Sequence, residues 1–553
     1  MKPADLFHAS SVMAVGTILS RLTGFVRMVL TVALLGTALL ADTFNVANTM
    51  PNIIYNLLIG GALTAIFVPQ IIRSSTEEDG GEGFVSRLVT TISLLLLVIV
   101  VLGIIFAPAL LKIYAPEFGS PGFETELNLA VAFTRYCLPQ VFFFGLFMML
   151  GQVANARGSF APLMWAPIIN NIFIIALFSV LLISSPTLSL MTITSQQVQI
   201  LGIGTTIGVV IQSLILIPVV KKTGIHLRVR LGLKGLGKSF SLAAWTLVYV
   251  LISQLGYLVT VNVSTTAAVR SAKEGVVTGV GYTPFSNAYL IMMLPYSIVT
   301  ISIVTALLPQ LSKLALENKV KDVREQLIKA IKMVGVITIP SGVGFLLFGP
   351  LITNVLYLGI PQEDATYLGY VLSALGIGLV AFSINLILIR GFNAFEDTRT
   401  QVLSILLINV ISVGLSYLFL FSLKTHWITI GLGVAFSVSY ILGLVFTLHL
   451  LSRHTGPIHL RDFMGQHLRL ILASLVAMLP LYALSSYFSW VTKTSPTVTR
   501  LGELMLVMVL SPILYFLIAR YMAVEEIAIT DRLVRNQLTR ITAAVRARRN
   551  KGL

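Results

Sequence analysis

His8 to Ala41 reads HASSVMAVGTILSRLTGFVRMVLTVALLGTALLA, an apolar stretch long enough to span a bilayer, whose only full charges are Arg21 and Arg27. A guanidinium near the bilayer centre costs roughly 2.5–3.5 kcal/mol on insertion scales, so such residues normally face a bundle interior or a water-filled cavity. Arg21 lies about 12 residues into the stretch, roughly 18 Å deep at 1.5 Å per residue, near the midplane of a ~30 Å core. Arg27 lies about 9 Å further along, within snorkelling reach of the far boundary. Their six-residue separation sets them about 120° apart on a regular helix, so they flank a cavity rather than stack. Guanidinium forks match phosphate and carboxylate oxygens in pairs. The two arginines therefore point to an anion-binding cavity, against an internal salt bridge for Arg21 and snorkelling for Arg27.

The rest of the chain extends this reading. Of 553 residues, 56% are hydrophobic and 11% charged, and the mean hydropathy is +0.91, outside the range of soluble domains. Fourteen spans are predicted, at 9–36, 43–72, 84–112, 127–151, 161–184, 198–220, 239–262, 283–312, 325–349, 365–390, 400–422, 427–452, 467–489 and 499–520. Alternating the loops places 29 lysines and arginines on one face and 7 on the other, which predicts both termini in the cytoplasm. Lys2 precedes an apolar segment without a small-residue cleavage site, so the N-terminus reads as a span rather than a signal peptide. The lone Cys137 excludes an intramolecular disulfide. Net charge +16 marks topology here rather than nucleic-acid binding. The basic segments Lys221–Lys238 and Arg532–Lys551 read as topology determinants or as binders of anionic lipid headgroups.

Two halves echo one another. Met50-Pro51, Phe67-Val68-Pro69-Gln70, Phe106-Ala107-Pro108, Asn155-Ala156 and Asn170 recur as Leu294-Pro295, Leu307-Leu308-Pro309-Gln310, Phe348-Gly349-Pro350, Asn393-Ala394 and Asn409, at offsets of 238–244. Six helices per repeat start both copies on the same side, the parallel layout in which two lobes rock about a central site. The fold class is thus an all-α polytopic membrane protein with two six-helix lobes and two further helices. Its parts are an N-lobe (1–220), a basic linker (221–238), a C-lobe (239–452), an appendage (453–520) and a basic tail (521–553). Spans 2 and 8 carry proline at matching places, Pro51 and Pro69 against Pro295 and Pro309, and span 2 adds Gly60-Gly61. Interrupted helices at corresponding positions mark transporter sites, although membrane helices tolerate Pro and Gly in any case.

Among other polar residues, Asp42 opens span 2, either as counter-charge to the arginines or as a helix cap. Asn45, Asn48 and Asn52 form a stripe that lines the cavity or bonds neighbouring helices. Asn393 and Asp397, four apart on one helical face, offer hard oxygen ligands for a cation such as Na+, or simply end a helix. Gln254 is a lone amide, glue or ligand. No Walker A sequence, HExxH or His/Cys cluster occurs, so an enzyme is not expected.

Ser20-Arg21-x-x-Gly24-Phe25-x-Arg27, Ala41-Asp42-Thr43-Phe44, Pro51-Asn52, Phe67-Val68-Pro69 and Leu308-Pro309-Gln310-Leu311-Ser312-Lys313 together resemble the MurJ/MviN family. The resemblance covers nearly the whole chain. It implies a lipid II flippase of the multidrug/oligosaccharidyl-lipid/polysaccharide exporter superfamily in the bacterial inner membrane. Such a protein moves undecaprenyl-diphosphate carrying a disaccharide–pentapeptide between leaflets, alongside cell-wall synthesis proteins. It further implies cavity roles for Arg21, Arg27 and Asp42, and a C-lobe sodium site at Asn393 and Asp397. The chain departs from the family pattern at Met28, Tyr55, Tyr289, Leu290 and Met293, where charged residues are usual. Flippases for other undecaprenyl-linked glycans share this physics. Small-molecule exporters of the superfamily would want an acidic cavity instead.

Overall fold

The structure, a computed structural model, describes residues 3–57, 70–71, 74, 78–185, 188–232, 240–276, 278–491, 497–524 and 526–527. The continuation of span 2 through Gly60-Gly61 and Pro69, the linker residues Lys234 and Lys238, and the tail from Arg532 lie outside them.

Within a bilayer every backbone polar group needs an internal partner, and the described chain answers with helices. In the first half these are α1 (Pro3–Leu35), α2 (Leu39–Tyr55), α3 (Glu82–Ile105), α4 (Ala107–Tyr114), α5 (Glu124–Cys137), α6 (Gln140–Ala156), α7 (Ala161–Ser184), α8 (Ser195–Leu214) and α9 (Leu216–Lys222). The second half holds α10 (Phe240–Lys273), α11 (Tyr282–Pro295), α12 (Ile301–Leu316), α13 (Val320–Leu356), α14 (Gln362–Ala394), α15 (Thr398–Ser422) and α16 (Thr425–Thr455). Two more, α17 (Arg461–Val491) and α18 (Thr497–Tyr521), complete the order. Among the described residues, 13 helical stretches are long and apolar enough to cross a membrane, and α2 occupies the place of the remaining expected span. The protein is an all-α, multi-pass membrane protein.

Irregular turns follow two of the four prolines indicated by the sequence, Pro51 and Pro295, whereas Pro309 lies inside the uninterrupted α12 and Pro69 lies outside the described residues. A π-type turn, Tyr296–Thr300, directly follows Pro295 and joins α11 to α12. Another opens at Asn56-Leu57, shortly after Pro51. Proline lacks the N–H that a regular helix ladder uses, and π-type turns mark such departures from regular helix.

The chain divides into two compact units. The first holds Met1–Ile291, Leu356–Val371 and Thr398–Ser439, the second Met292–Val355, Leu372–Asp397 and Tyr440–Leu553. In the first unit α1 runs along α7, and α10 along α15. These are the first and fifth spans of each repeat, so the sequence echo is also an echo of packing. Both crossings set a glycine against an asparagine. Gly24 faces Asn171, and a Cβ on Gly256 would lie 1.7 Å from Asn409 Oδ1. Small residues bring membrane helices close enough for such amides to find partners. On α3, Leu94, Leu95, Leu97, Val98, Val101 and Leu102 stay exposed, which lipid tails do not penalise.

In the second unit, Leu327, Ile331, Leu388, Phe392 and Leu451 build one core. Leu470, Ala473, Ala477 and Ala519 of α17 and α18 pack with Val336, Ile339 and Phe348 of α13 in another. The helices outside the repeat are therefore fastened to α13, where Tyr515 also donates its hydroxyl to the Val336 carbonyl at 2.6 Å. A close backbone-to-backbone crossing joins α13 and α14, where a Cβ on Gly342 would lie 2.8 Å from the Gly376 carbonyl oxygen. Backbone cannot yield as a side-chain tip can. Gly342→Ala is therefore expected to lower the unfolding temperature of the purified protein, with an overpacking cost of about 1–3 kcal/mol. Gly465→Ala, at a position with open space around it, is expected to leave that temperature unchanged.

Candidate functional site

Arg21 is exposed and Arg27 half-buried on α1. Neither guanidinium meets a carboxylate or a hydrogen-bond acceptor among the described residues. Their helix is nevertheless held firmly. Asn171 of α7, itself buried, donates to the Ser20 carbonyl and to Thr23 Oγ1, both at 3.1 Å. That fixes the turn carrying Arg21. Thr31 donates to the Arg27 carbonyl at 2.8 Å. Two cations without counter-charge among the described residues, on a helix that its neighbours hold, are a poor way to stabilise a bundle and a good way to receive an anion. Asn171 was not singled out from sequence. The adjacent amides Asn170-Asn171 inside an apolar span were the available signal, since both need partners there.

Asp42 pairs with neither arginine. Its fully buried carboxylate accepts the backbone N–H groups of Tyr282 at 3.0 Å and Thr283 at 2.6 Å. These are the first residues of α11, whose N–H groups have no partner within the helix and whose end carries the positive pole of the helix dipole. A carboxylate from the first repeat thus caps a helix of the second, within one compact unit. Asn45 adds a bond to Thr283 Oγ1 at 3.0 Å, and the Tyr282 hydroxyl donates to Thr49 Oγ1 at 3.2 Å.

Glycine makes the approach possible. A Cβ on Gly281, whose φ is +154°, would stand 2.0 Å from Asp42 Oδ2, and one on Gly279 would stand 2.2 Å from Thr37 Oγ1. The Gly279 N–H in turn donates to Asp364 Oδ1 of α14 at 2.8 Å. Thr37, Asp42, Gly279, Gly281 and Asp364 all lie at ends of spans on the face poor in lysine and arginine. Together they form a polar latch across that face.

The remaining sequence-derived residues scatter. Asn48 accepts from Gln140 Nε2 at 3.2 Å, so it ties α2 to α6. Asn52 is exposed and accepts from Asn56 at 3.0 Å. Tyr55 lies against Phe144, with ring centroids 6.0 Å apart, and Tyr289 stacks on Phe285 at 6.4 Å. Aromatic contacts thus fill two places where the family resemblance implied charge. In the second unit, Asp397 Oδ2 lies 2.7 Å from His454 Nε2, and the Phe395 ring stacks on that imidazole at 5.2 Å. Asn393 sits in the turn before it, its carbonyl accepting the Glu396 N–H at 3.1 Å. A cation at Asp397 would have to share or displace His454. Gln254, half-buried on α10, belongs to the other unit.

A family model described as "Lipid II flippase MurJ" matches residues 31–500. Among curated proteins, a probable lipid II flippase MurJ of Rickettsia prowazekii is 26% identical over 80% of this chain and 83% of its own. The lipid II flippase MurJ of Burkholderia cenocepacia is 25% identical over 93% and 96%. Among solved structures, "Lipid II flippase MurJ, inward closed conformation" superposes with a TM-score of 0.69 at 20% identity, covering 92% of this chain and 99% of that one. An inward-facing multidrug resistance MATE family transporter of the MOP superfamily gives 0.62 at 15% identity, covering 80% and 98%. The structural likenesses establish a shared fold.

Removing the Asp42 carboxylate leaves two buried N–H groups unsatisfied, at about 1–3 kcal/mol each, or a factor of about ten or more in the open population. In a Cys137→Ser background, a cysteine at buried Val280 is expected to react at least about tenfold faster with a polar maleimide once Asp42→Ala is added. Asp42→Asn, with one acceptor oxygen in place of two, should fall between. Equal rates in all three proteins would mean that the carboxylate does not hold this face closed.

Proposed function

The chain belongs to the lipid II flippase MurJ family, and from that membership we propose that Arg21 and Arg27 hold the diphosphate of lipid II while its head group crosses the membrane. The observation that carries the reading is the pair of guanidinium groups with no counter-charge among the described residues, on a helix that Asn171 keeps in place. Lipid II is an undecaprenyl-diphosphate bearing a disaccharide–pentapeptide. Its lipid tail has no reason to leave hydrocarbon, but the diphosphate would enter hydrocarbon unaided only at prohibitive cost. Fixed guanidinium groups replace its hydration with charge-assisted, paired hydrogen bonds.

Alternating access requires a face that closes and reopens. The Asp42 latch supports assigning that part to the ends of α2, α11 and α14. With the face of few basic residues outward, both termini and the linker 221–238 lie in the cytoplasm of a cell whose inner membrane holds the protein. The basic linker and tail then lie against anionic lipid headgroups, within reach of cell-wall synthesis proteins. Asn393 and Asp397 supply oxygen donors for Na+ as coupling ion, in competition with His454. Aromatic contacts at Tyr55 and Tyr289 favour, as a second reading, a substrate of the same diphosphate class with a different glycan.

Topology is tested by cysteines at two exposed positions, again without Cys137. In right-side-out vesicles an impermeant reagent is expected to label Met191→Cys and to spare Lys222→Cys, and the reverse pattern would invert the orientation. The substrate site is tested by rescue of cells depleted of their lipid II flippase. Arg21→Ala and Arg27→Ala should each abolish rescue at normal protein level and membrane insertion. Arg21→Lys should rescue only partly, because a point charge lacks the paired donors. Parental lipid II export by both alanine variants would end the diphosphate assignment.

A further inference from the structure

On the face rich in lysine and arginine, the linker after α9 is laid along α3 as an extended strap. The backbone N–H groups of His226, Arg228 and Arg230 donate to Glu82 Oε2 at 3.3 Å, Ser86 Oγ at 3.1 Å and Thr90 Oγ1 at 3.3 Å. Two residues of extended chain and four of helix both advance about 6–7 Å, which keeps strap and helix in register. Thr91 then donates to the Gly232 carbonyl at 3.3 Å. Glu82, Ser86 and Thr90 head a row at four-residue spacing that continues as the exposed Leu94, Val98 and Leu102, so the strap lies on the lipid side of α3.

The strap carries Arg230 to the turn before α3, where three guanidinium groups gather. Arg157, which follows α6, donates Nη2 to the Gly80 carbonyl. A Cβ on Gly83 would lie 3.1 Å from Arg230 Nη1 and 3.5 Å from Arg87 Nη1, so these two flank one bare spot of backbone. None of the three makes an ion pair among the described residues. The nearby Asp79 is engaged elsewhere, since its two oxygens accept the Gly81 and Gly83 N–H groups at 2.9 and 2.7 Å. The Gly83 and Gly81 bonds hold its carboxyl below the usual range, and Arg230 and Arg87 add to that through space. Glu82 is taken by Arg228, at 3.5 Å, and His226, at 3.6 Å. Three cations against one carboxylate leave two positive charges in excess. Arg87 Nε and Arg157 Nε, moreover, are buried without an acceptor among the described residues, which is costly unless an anion comes near.

Guanidinium donors on several sides of bare backbone suit a tetrahedral oxyanion, whose oxygens they meet singly or in pairs. A carboxylate, with two oxygens in one plane, would leave one of the three arginines unmet. We infer that this corner of the first unit binds a phosphate group, held by Arg87, Arg157 and Arg230. A lipid headgroup and free phosphate share that chemistry. On the strap, Val229 is 90% and Leu231 69% exposed, close to the apolar row of α3, so acyl chains find apolar cover next to the phosphate. The inference narrows the proposed contact between linker and anionic headgroups to one site. It rests on the proposed orientation only for which leaflet supplies the lipid.

Purified full-length protein in detergent is titrated with dioctanoyl phosphatidylglycerol, with dioctanoylglycerol as the same lipid lacking the phosphate, and with inorganic phosphate at constant ionic strength. Native mass spectrometry counts bound lipid, and the ligand-dependent rise in unfolding temperature reads all three. Saturable phosphatidylglycerol binding is expected, at least about tenfold tighter than that of the diacylglycerol, and weakened at least about tenfold by Arg230→Gln and by Arg87→Gln. Lys221→Gln and Lys222→Gln remove the same charge from exposed positions nearby and should leave the affinity unchanged. Arg230 is exposed as well, so its variant should fold, and the unfolding temperature without ligand checks every variant. Inorganic phosphate binding with the same dependence on the arginines identifies a site for free phosphate, and binding of the phospholipid alone identifies a headgroup site; either supports the inference. Equal binding of the two lipids without binding of inorganic phosphate overturns it. So does an affinity unchanged in both arginine variants, or lowered as much by the lysine variants. The titration involves neither transport nor orientation, so its failure leaves the assignment of Arg21 and Arg27 and the topology standing. Failure of the rescue experiment likewise leaves this site standing.

Discussion

Two backbone N–H groups at the start of α11 must be satisfied where water is scarce, and the side chain that satisfies them comes from the other repeat. Much else follows from that constraint. Asp42 must be buried to reach them, so the segment before α11 must come close, so Gly279 and Gly281 must lack side chains. Once that segment is fixed, the Gly279 N–H is aimed at Asp364, and the start of α14 is drawn into the same latch. A carboxylate on a helix N-terminus is favoured by the hydrogen bonds it accepts and by the helix dipole. Both are weaker when the face is wet. The latch is thus strongest when the face is closed and loses strength as water enters.

The arginines show the opposite arrangement. Each Asp42 carboxylate oxygen accepts a backbone N–H, while Arg21 and Arg27 have no protein acceptor among the described residues. A charge that shapes the bundle is paired at once. On the proposed reading, a charge that waits for a ligand is left open while its helix is held through neighbours, here through Asn171 on the Ser20–Thr23 turn. Such division between paired structural charge and unpaired receiving charge is what a carrier of polar head groups needs, because internal salt bridges would compete with the substrate.

The fold was largely legible in the sequence because the bilayer imposes strong rules on length, hydropathy and loop charge. Interruption near Pro51 and Pro295 was legible too, since proline acts on its own helix, but the same signal at Pro309 leaves its helix unbroken. The partner of Asp42 was not. Counter-charge for the arginines and cap of its own helix were the two local readings, and the actual bond reaches some 240 residues along the chain to backbone groups that carry no sequence signature. Asn171 was half-visible, as a polar residue in an apolar span with no indication of what it would hold. Pairing across long separations is where pattern reading stops and geometry begins.

The strength of the latch also bears on how a substrate could work it. Hydrogen bonds involving a charged group contribute about 1.5–3 kcal/mol each, so the two at Asp42 are worth roughly 3–6 kcal/mol together. Moving a two-state protein from one part in a hundred open to ninety-nine takes about 5.5 kcal/mol of differential ligand binding. The two quantities are of the same size. A diphosphate bound by two guanidinium groups can gain that much only where the open and closed forms hold it differently, since equal binding to both shifts nothing. On the proposed reading, a change in how α7 holds the helix that carries the arginines would change how they meet the diphosphate. The Gly279 N–H to Asp364 bond adds a third charge-assisted contact to the latch, so the closed face is held by more than the Asp42 pair alone and its opening draws on a correspondingly larger difference in ligand binding.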